Sequence, residues 1–470
     1  MALIASVSGL RGTIGGRPGE NLTPPDVINF VSAYALWARR QGEGEKRIVL
    51  ARDARTTGPA VAALVGGTLN LCGFDVLDAG AVPTPTAACC VRRLHAAGAV
   101  VVTASHNPAA WNALKLYNAR GECLSPAEVD EFLKILKKSD FDYPEYSAVG
   151  RTHAYASALD EHIEAIVALP FVDASAVRAA GFRVAFDGIN SVGGPAMRAL
   201  LNRLGVVELE GLNDQPTGEF AHAPEPLPEN LTQLSAGVRE CKADVGFAVD
   251  PDADRLVIFD ERGECFGEEF TVVALCDYRL KYGPKTEPVT LVGNLSTTRA
   301  LQDLARERGV EYQPAAVGEA NVVQKMKTYR ALIGGEGNGG VIVPELNYGR
   351  DALVGAAMFL SFLAKERATV SALRKRYPDY KMFKHKVDFS QSDVEPKIVL
   401  ARVAKSLPRK DGLNIDTSDG LKVEYPDKWV HMRLSNTEPI VRIYTEADDL
   451  ETARNLALEY ENLLKKSVVR

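Results

Sequence analysis

Three times along this chain a short apolar run, the length of a buried strand, stops abruptly at a polar or glycine-rich cluster. Residues 98–103 (GAVVVT) run into Ala104-Ser105-His106-Asn107-Pro108. Residues 244–249 (DVGFAV) run into Asp250-Pro251-Asp252-Ala253-Asp254-Arg255. Residues 331–333 run into Gly334-Gly335-Glu336-Gly337-Asn338-Gly339-Gly340. Runs of that length, bounded by such signals and interleaved with helical patterns, predict buried strands of α/β units. Further strands are expected at 47–51, 74–77, 182–186 and near 290–292, with helices near 58–72, 86–96, 193–204, 297–308 and 321–329. In open α/β sheets, ligands bind beyond the carboxyl ends of the strands, where these three clusters stand.

The last hundred residues change character. Lysine-rich segments are punctuated by Pro378, Pro396, Pro408 and Pro426. Strands are expected at 420–425, 429–434 and 441–445, then a helix from Leu450. This predicts a separate, smaller α+β domain. No low-complexity tract, heptad run or short-period repeat stands out.

The length, 470 residues, suits three or four domains at roughly 100–200 residues each. With 46% hydrophobic and 25% charged residues, disorder as the main state is excluded. Net charge is 55 − 61 = −6, so no global attraction to nucleic acid or an acidic membrane is expected, and an anionic ligand needs a local basic site. No apolar run approaches the roughly 18–20 residues of a membrane helix. The first residues, MALIASVSGLRGT, lack the basic leader and apolar core of a signal peptide. Seven cysteines without a C-x-x-C pair argue against a disulfide framework or a zinc knuckle. A reduced, cytoplasmic protein is expected.

Asp250, Asp252 and Asp254 alternate after an apolar strand. Such concentrated negative charge calls for a hard cation. A solvated acidic turn is the bland alternative. A calcium EF-hand loop would put Glu261 at its twelfth position, but Arg255 stands where that loop needs glycine. An aspartyl-phosphatase D-x-D motif would make Asp250 a nucleophile, although Asp254 is unusual there. Ser105, beside His106 and Asn107, suits a nucleophile or an ordinary turn serine, and no G-x-S-x-G elbow is present. Residues 335–340 match G-x-G-x-x-G formally, but no helix follows, so a dinucleotide site is rejected. Glu336 and Asn338 offer instead the acceptors and donors that sugar hydroxyls need. Arg433, Ser435, Asn436, Thr437 and Arg442 place two guanidinium forks near hydroxyl and amide donors, an inventory suited to phosphate.

These four segments, in this order, resemble the α-D-phosphohexomutase family over nearly the whole chain. T-A-S-H-N-P at 103–108 looks like its phosphoserine loop, D-P-D-A-D-R at 250–255 its magnesium loop, G-E-G-N-G-G at 335–340 its sugar loop, and R-L-S-N-T-E-P at 433–439 its phosphate loop. Ser8-Gly9-Leu10-Arg11-Gly12-Thr13 also fits the family's N-terminal segment. The sugar loop departs from the commoner G-E-x-S-G-H form, with Asn338 in place of Ser and Gly340 in place of His. That variant is most similar to the branch of phosphoglucosamine and phosphomanno/phosphoglucomutases.

The resemblance implies an α/β fold: three similar α/β domains with mixed sheets plus a smaller C-terminal α+β domain, around a central cleft. The expected divisions are 1–150, 151–260, 261–376 and 377–470, with a hinge near 377–384. It implies a phosphoryl transfer between O1 and O6 of a hexose or hexosamine phosphate through a bisphosphorylated sugar, with phosphoglucosamine mutase the first expectation. Ser105 would carry the phosphoryl group. Mg²⁺ would be held by Asp250, Asp252, Asp254 and the phosphorylated Ser105. Arg11 and Arg255 would add positive charge. Lys115 or His106 would be the general acid/base, with a lowered lysine pKa expected beside other cations. Glu336, Asn338, Arg433, Ser435, Asn436, Thr437 and Arg442 would bind the substrate. Monomer and homodimer both remain open, and a metal-dependent sugar phosphatase is the alternative activity.

Overall fold

The computed structural model describes residues 3–6, 9–285, 287–390, 394–408, 412–434 and 440–468. Four sheets organise it. The first runs, in spatial order, Ile4–Ser6, Gly9–Thr13, Trp111–Tyr117, Ala96–Val102, Glu45–Arg52, Asp75–Ala81 and Thr152–Ala154. The second runs Leu256–Phe259, Val245–Val249, Arg183–Asp187 and Glu208–Leu212, and the third Glu311–Ala315, Thr290–Asn294, Ile333–Glu336 and Gly340–Ile342. All three are mixed. The fourth is antiparallel: Lys381–Asp388, Ile440–Ala447, Trp429–Leu434, Leu421–Glu424 and Asn414–Asp416.

The same device closes each of the first three sheets. A parallel strand ends in the polar loop, and the chain returns at once as an antiparallel neighbour. Ala96–Val102 is followed by Trp111–Tyr117, Val245–Val249 by Leu256–Phe259, and Ile333–Glu336 by Gly340–Ile342. Each returning strand then makes one isolated bridge, Tyr117 with Cys123, Phe259 with Cys265 and Ile342 with Arg350, before a long helix. Asn118-Ala119-Arg120-Gly121-Glu122-Cys123 and Asp260-Glu261-Arg262-Gly263-Glu264-Cys265 occupy this place in the first two units. In both, the fourth residue's N–H donates to the first residue's carbonyl, at 2.9 Å (Gly121) and 2.8 Å (Gly263). This long-period repeat is visible in the sequence, although no short-period repeat is.

Most expected elements lie within a few residues of their observed bounds. The third glycine cluster is a correction: Gly334, Gly335 and Glu336 belong to a strand, and Glu336 pairs with Gly340 across a tight turn. Small residues are needed there for space. A Cβ on Gly334 would lie 2.7 Å from Met326 Sδ, and one on Gly335 2.3 Å from the Gly340 carbonyl. Helices Glu268–Tyr282 and Ala352–Glu366 are buried along most of their length, so they carry no amphipathic stripe to read. The second and third units share one core. Phe359, on the helix Ala352–Glu366, meets Phe247 edge-on at 6.3 Å and Phe266 at 5.4 Å. Such pairs add about 0.5–1.5 kcal/mol each beyond their buried area. The fourth sheet docks on the third unit through Arg299, which donates to the carbonyls of Tyr425 (2.8 Å) and Pro426 (2.9 Å).

Candidate active site

The loop after Ala96–Val102 is clamped from behind. Arg55 lies just beyond the neighbouring strand Glu45–Arg52 and is 1% exposed. It donates to the carbonyls of Ser105 and Asn107 (2.6 Å each), Pro108 (2.8 Å) and Trp111 (3.0 Å), and pairs with Asp53 at 3.0 Å. Asp53 also accepts from Thr103 Oγ1 at 2.7 Å, and Thr103 Oγ1 accepts from the Ser105 N–H at 2.9 Å. Burial pushes the Asp53 carboxyl up to about 6 even beside Arg55. The clamp holds Ser105 at φ +48°, a conformation that side-chain-bearing residues avoid unless their surroundings impose it.

Held this way, Ser105 Oγ points at the second unit and donates to Asp250 Oδ2 at 2.7 Å. Asp250 Oδ1 accepts from the N–H groups of Asp254 (3.1 Å) and Arg255 (3.2 Å), which curls the 250–255 loop around its first carboxylate. Oxygens of Asp250, Asp252 and Asp254 all lie within 4.8 Å of one another. Thr84 Oγ1 donates to Asp252 Oδ2 at 2.6 Å, and Lys115 Nζ to Asp252 (2.6 Å) and Asp254 (3.1 Å). Asp252 Oδ1 and Asp254 Oδ1 are buried with no hydrogen-bond partner among the described residues. Orphaned buried oxygens in a cluster of three carboxylates fit a hard cation. Burial and its two neighbours hold the Asp250 carboxyl well above the carboxylate range. Burial would raise Asp252 too, but Lys115 keeps it below that range.

Lys115 departs from its expected chemistry. Burial alone would lower its pKa, but Asp252 and Asp254 outweigh that and raise it, so the ammonium is firmly charged. The partners are carboxylates rather than cations. His106 shifts the other way: burial, then Arg255 and Arg11, hold it well below the usual imidazole value, and it is neutral. Its Nδ1 lies 3.0 Å from Arg255 Nη2 and accepts a hydrogen bond from it, which leaves Nε2–H facing Glu225 at 3.5 Å. Arg11 donates to Asn107 Oδ1. The Nε–H groups of Arg11 and Arg255 are buried without a hydrogen-bond partner among the described residues.

The third unit adds Glu336, whose Oε1 accepts from Asn294 Nδ2 (2.9 Å) and the Gly318 N–H (3.0 Å). Arg350 links the units: it bonds Glu336 Oε2 at 2.9 Å and Asp254 Oδ2 at 2.7 Å, and pairs with Glu319 at 3.2 Å. Asn338 Oδ1 accepts from the Gly340 N–H at 3.2 Å within the turn. Arg433 and Arg442 are paired directly across the fourth sheet, and Lys386 faces Arg442 on its other side. Like charges in register destabilise a sheet unless an anion neutralises them.

All four domain families described as "Phosphoglucomutase/phosphomannomutase" match this chain. Alpha/beta/alpha domains I, II and III match at residues 3–143, 160–263 and 268–380, and the C-terminal domain at 366–463. The chain belongs to the phosphoglucomutase/phosphomannomutase family. It is 33% identical over 449 residues to the phosphoglucomutase/phosphomannomutase of Thermococcus kodakarensis, covering 95% of this chain and 96% of that protein. It is 32% identical over 462 residues to a probable phosphoglucosamine mutase of Methanopyrus kandleri, covering 98% and 97%. Among solved structures it resembles a phosphoglucomutase/phosphomannomutase family protein of Burkholderia thailandensis, with a TM-score of 0.83 and 27% identity over 99% of this chain and 98% of that one. A putative phosphomannomutase of Thermus thermophilus gives 0.82 and 25%, over 99% and 100%.

In this phosphohexomutase, the chain brings Ser105, His106, Lys115, Asp250, Asp252, Asp254 and Arg255 into one contact network, with Arg11 joined to it through Asn107. Glu336 reaches it through Arg350, while among the described residues Asn338, Arg433 and Arg442 make no hydrogen bond or ion pair with it. Ser435, Asn436 and Thr437 lie outside the described residues, as does Ser8. Sequence reasoning missed Asp53, Arg55, Thr84, Glu225, Glu319 and Arg350. Each is a single polar residue outside the four quoted segments. The one available signal was Arg-Asp at 350–351 just before an apolar helix, where Asp351 caps the first turn. Among the described residues no helix is long and apolar enough to cross a membrane.

Proposed function

We propose that this enzyme is a phosphoglucosamine mutase that shuttles a phosphoryl group through Ser105. The supporting observation is the 2.7 Å approach of Ser105 Oγ to Asp250 inside a buried cluster of three carboxylates. Asp250, Asp252 and Asp254, with an oxygen of phosphorylated Ser105, would hold Mg²⁺. When bound, the ion would offset phosphoryl charge and favour transfer between oxygens.

The remaining work falls to side chains of this chain. In the first transfer, the bond from phosphorus to Ser105 Oγ breaks as one forms to the free sugar hydroxyl. The hydroxyl's proton is exchanged for one placed on Ser105 Oγ. Lys115, held charged beside the aspartates, gives its proton to Ser105 Oγ and takes up the one the sugar hydroxyl releases, so it ends the transfer charged again. His106 is poorly suited, because its Nδ1 lone pair is committed to Arg255. In the second transfer the other phosphate of the bisphosphorylated sugar returns to Ser105, and the proton moves back to the sugar oxygen it leaves. Substrate becomes its isomer and the enzyme is again phosphorylated. Arg11 and Arg255 place unpartnered N–H groups where anionic oxygens would gather. Arg433 and Arg442, with Ser435, Asn436 and Thr437, would anchor the phosphate that is not reacting, supplying binding energy remote from the chemistry.

Glu336 and Asn338 would read the sugar hydroxyls. Glu319 and Glu336 share one arginine, which leaves acceptor capacity suited to a hexosamine's ammonium. The phosphate of a hexose without an amine is the second reading, favoured by the family name itself. The same reading divides the chain at 1–150, 151–260, 261–376 and 377–470. It places the protein, as monomer or homodimer, in the reducing cytoplasm, where its seven free cysteines would persist. Isomerisation assays with the 6-phosphates of glucosamine, mannose, glucose and N-acetylglucosamine are the test. The highest kcat/KM is expected for glucosamine. A clear preference for mannose or glucose would overturn the sugar assignment, and phosphate release without isomerisation would overturn the mutase itself.

A further inference from the structure

Arg350 stands between the aspartate loop and the sugar strand, and no step of the proposed chemistry uses it. Its segment is tied to both. Arg350 makes an isolated antiparallel bridge with Ile342, and the Asp351 N–H donates to the Val341 carbonyl at 3.0 Å. The Ala352 N–H donates to the Ala253 carbonyl, inside the aspartate loop, at 3.2 Å. The Arg350 side chain is 11% exposed. Its guanidinium ends among three carboxylates from three segments: Nη2 donates to Asp254 Oδ2 (2.7 Å), Nη1 to Glu336 Oε2 (2.9 Å), and Nε pairs with Glu319 Oε2 at 3.2 Å. Taking Glu336 as the sugar contact proposed above, we infer that Arg350 is a positioning residue that holds Glu336 in register with the aspartate loop, and that residue 340 is glycine to admit it.

The acceptor count of Glu336 shows what Arg350 controls. A carboxylate offers about four acceptor sites, two on each oxygen. Those on Oε1 are filled by Asn294 Nδ2 (2.9 Å) and the Gly318 N–H (3.0 Å). Arg350 takes one of the two on Oε2, so the site left for a sugar hydroxyl points where Arg350 directs it. On its other side, Arg350 shares Asp254 Oδ2 with Lys115 Nζ, which lies 3.1 Å from that oxygen. One planar cation thus sets the span between the group that reads the sugar and the pair that serves the transfer. A guanidinium does this with a rigid fork of donors, whereas an ammonium is a point charge on a flexible stem. Without Arg350, Asp254, Glu319 and Glu336 would also repel one another.

Space decides the residue at 340. A Cβ on Gly340 would run into Arg350 Cδ, and would lie 3.0 Å from Arg350 Cγ and 3.1 Å from Asn338 Oδ1. These nearest neighbours are all side-chain atoms, and the Gly340 backbone is not left-handed, so an alanine there acts chiefly on Arg350. The same crowding gives a physical reason for glycine where the commoner sugar loop has histidine.

Steady-state kinetics of the full-length protein test this, with Mg²⁺ saturating for each variant and with whichever of the sugar 6-phosphates named above wild type isomerises fastest. Misplacing reacting groups by about 1 Å costs roughly a hundredfold in rate. Arg350→Ala should therefore lower kcat about a hundredfold, with KM within about threefold because the remote phosphate anchor is untouched. Arg350→Lys should keep less than about a tenth of wild-type kcat. Gly340→Ala should lower kcat about tenfold or more when Arg350 is present, and by less than about twofold in the Arg350→Ala background. Arg350→Ala should likewise cost far less in the Glu336→Gln background than in wild type. Full turnover with lysine would reduce Arg350 to a charge and overturn the positioning role. A rise in KM without a fall in kcat, or additive losses in either pair, would overturn it too. Should Arg350→Ala fail to fold, an unchanged kcat in Gly340→Ala overturns the role and a lowered kcat at constant KM supports it. A wild type that isomerises none of these sugars would overturn the mutase reading instead, which tells the two failures apart.

Discussion

Replacing Arg55 by methionine removes the clamp behind Ser105 without touching any group that meets substrate. The guanidinium donates to four carbonyls between Ser105 and Trp111 at 2.6–3.0 Å and pairs with the fully buried Asp53. Removing one partner of a buried ion pair costs about 3–5 kcal/mol. The four carbonyl bonds are not additive with that figure, because one cation makes them all. For a unit of this size, such a loss lowers Tm by about 10 °C or more. The effect carries a pH signature. Asp53 already stands at about 6, above its ordinary value, with Arg55 in place. A raised carboxyl contributes stability that is present in acid and is lost as pH rises through its folded value. Without Arg55 that value rises further, so the deficit of the variant should be widest above about pH 7 and shrink toward about pH 5. Calorimetry across that range is the assay, with turnover at a temperature where the variant is folded. Turnover should fall chiefly in kcat, because Ser105 leaves its φ +48° conformation. An Arg55→Met protein that melts within about 2 °C of wild type near neutral pH, or whose deficit does not narrow in acid, would refute the clamp.

Asp252→Asn should raise the Mg²⁺ concentration for half-maximal rate by about tenfold or more, measured by titrating activity in chelator-stripped protein; an unchanged requirement would count against the triad as ligands. Lys115→Met leaves Asp252 and Asp254 without their ammonium, so the metal-free protein should melt lower, and added Mg²⁺ should raise its Tm by more than it raises that of wild type. His431 is buried, 2.8 Å from Ser296 Oγ, and is depressed to about 4. A depressed imidazole gives stability that is complete above its ordinary value and is lost as pH falls through about 4. Unfolding curves should therefore show wild type weakening below about pH 6.5, and His431→Gln weakening less.

Much of the site was legible because its chemistry is local in the chain. The serine turn, the alternating aspartates and Glu336 each sit at the end of a strand whose apolar run announces it. What escaped reading is the set of single residues that hold those loops from elsewhere. Arg55 lies fifty positions before Ser105, and Arg350 ninety-six after Asp254. No spacing rule links them, because the sheets alone bring them together. The glycines at 334 and 335 looked like loop, since nothing local says that Met326 and Gly340 leave room only for hydrogen there. The helices Glu268–Tyr282 and Ala352–Glu366 hid for the opposite reason, being buried on nearly every side. The pKa of Lys115 was misjudged because its partners, 137 and 139 positions away, are carboxylates.

Ser105 as the phosphoryl carrier is the claim on which the proposed chemistry stands. Protein phosphorylated at Ser105 is mixed with glucosamine 6-phosphate in a single turnover, quenched, and read by intact mass, peptide mapping and analysis of the sugar. A phosphoserine shuttle requires phosphate to leave Ser105 as the bisphosphorylated sugar appears, and to return as the 1-phosphate is released. Isomerisation by Ser105→Ala at the wild-type rate, or a phosphoserine that stays unchanged while product forms, would contradict it.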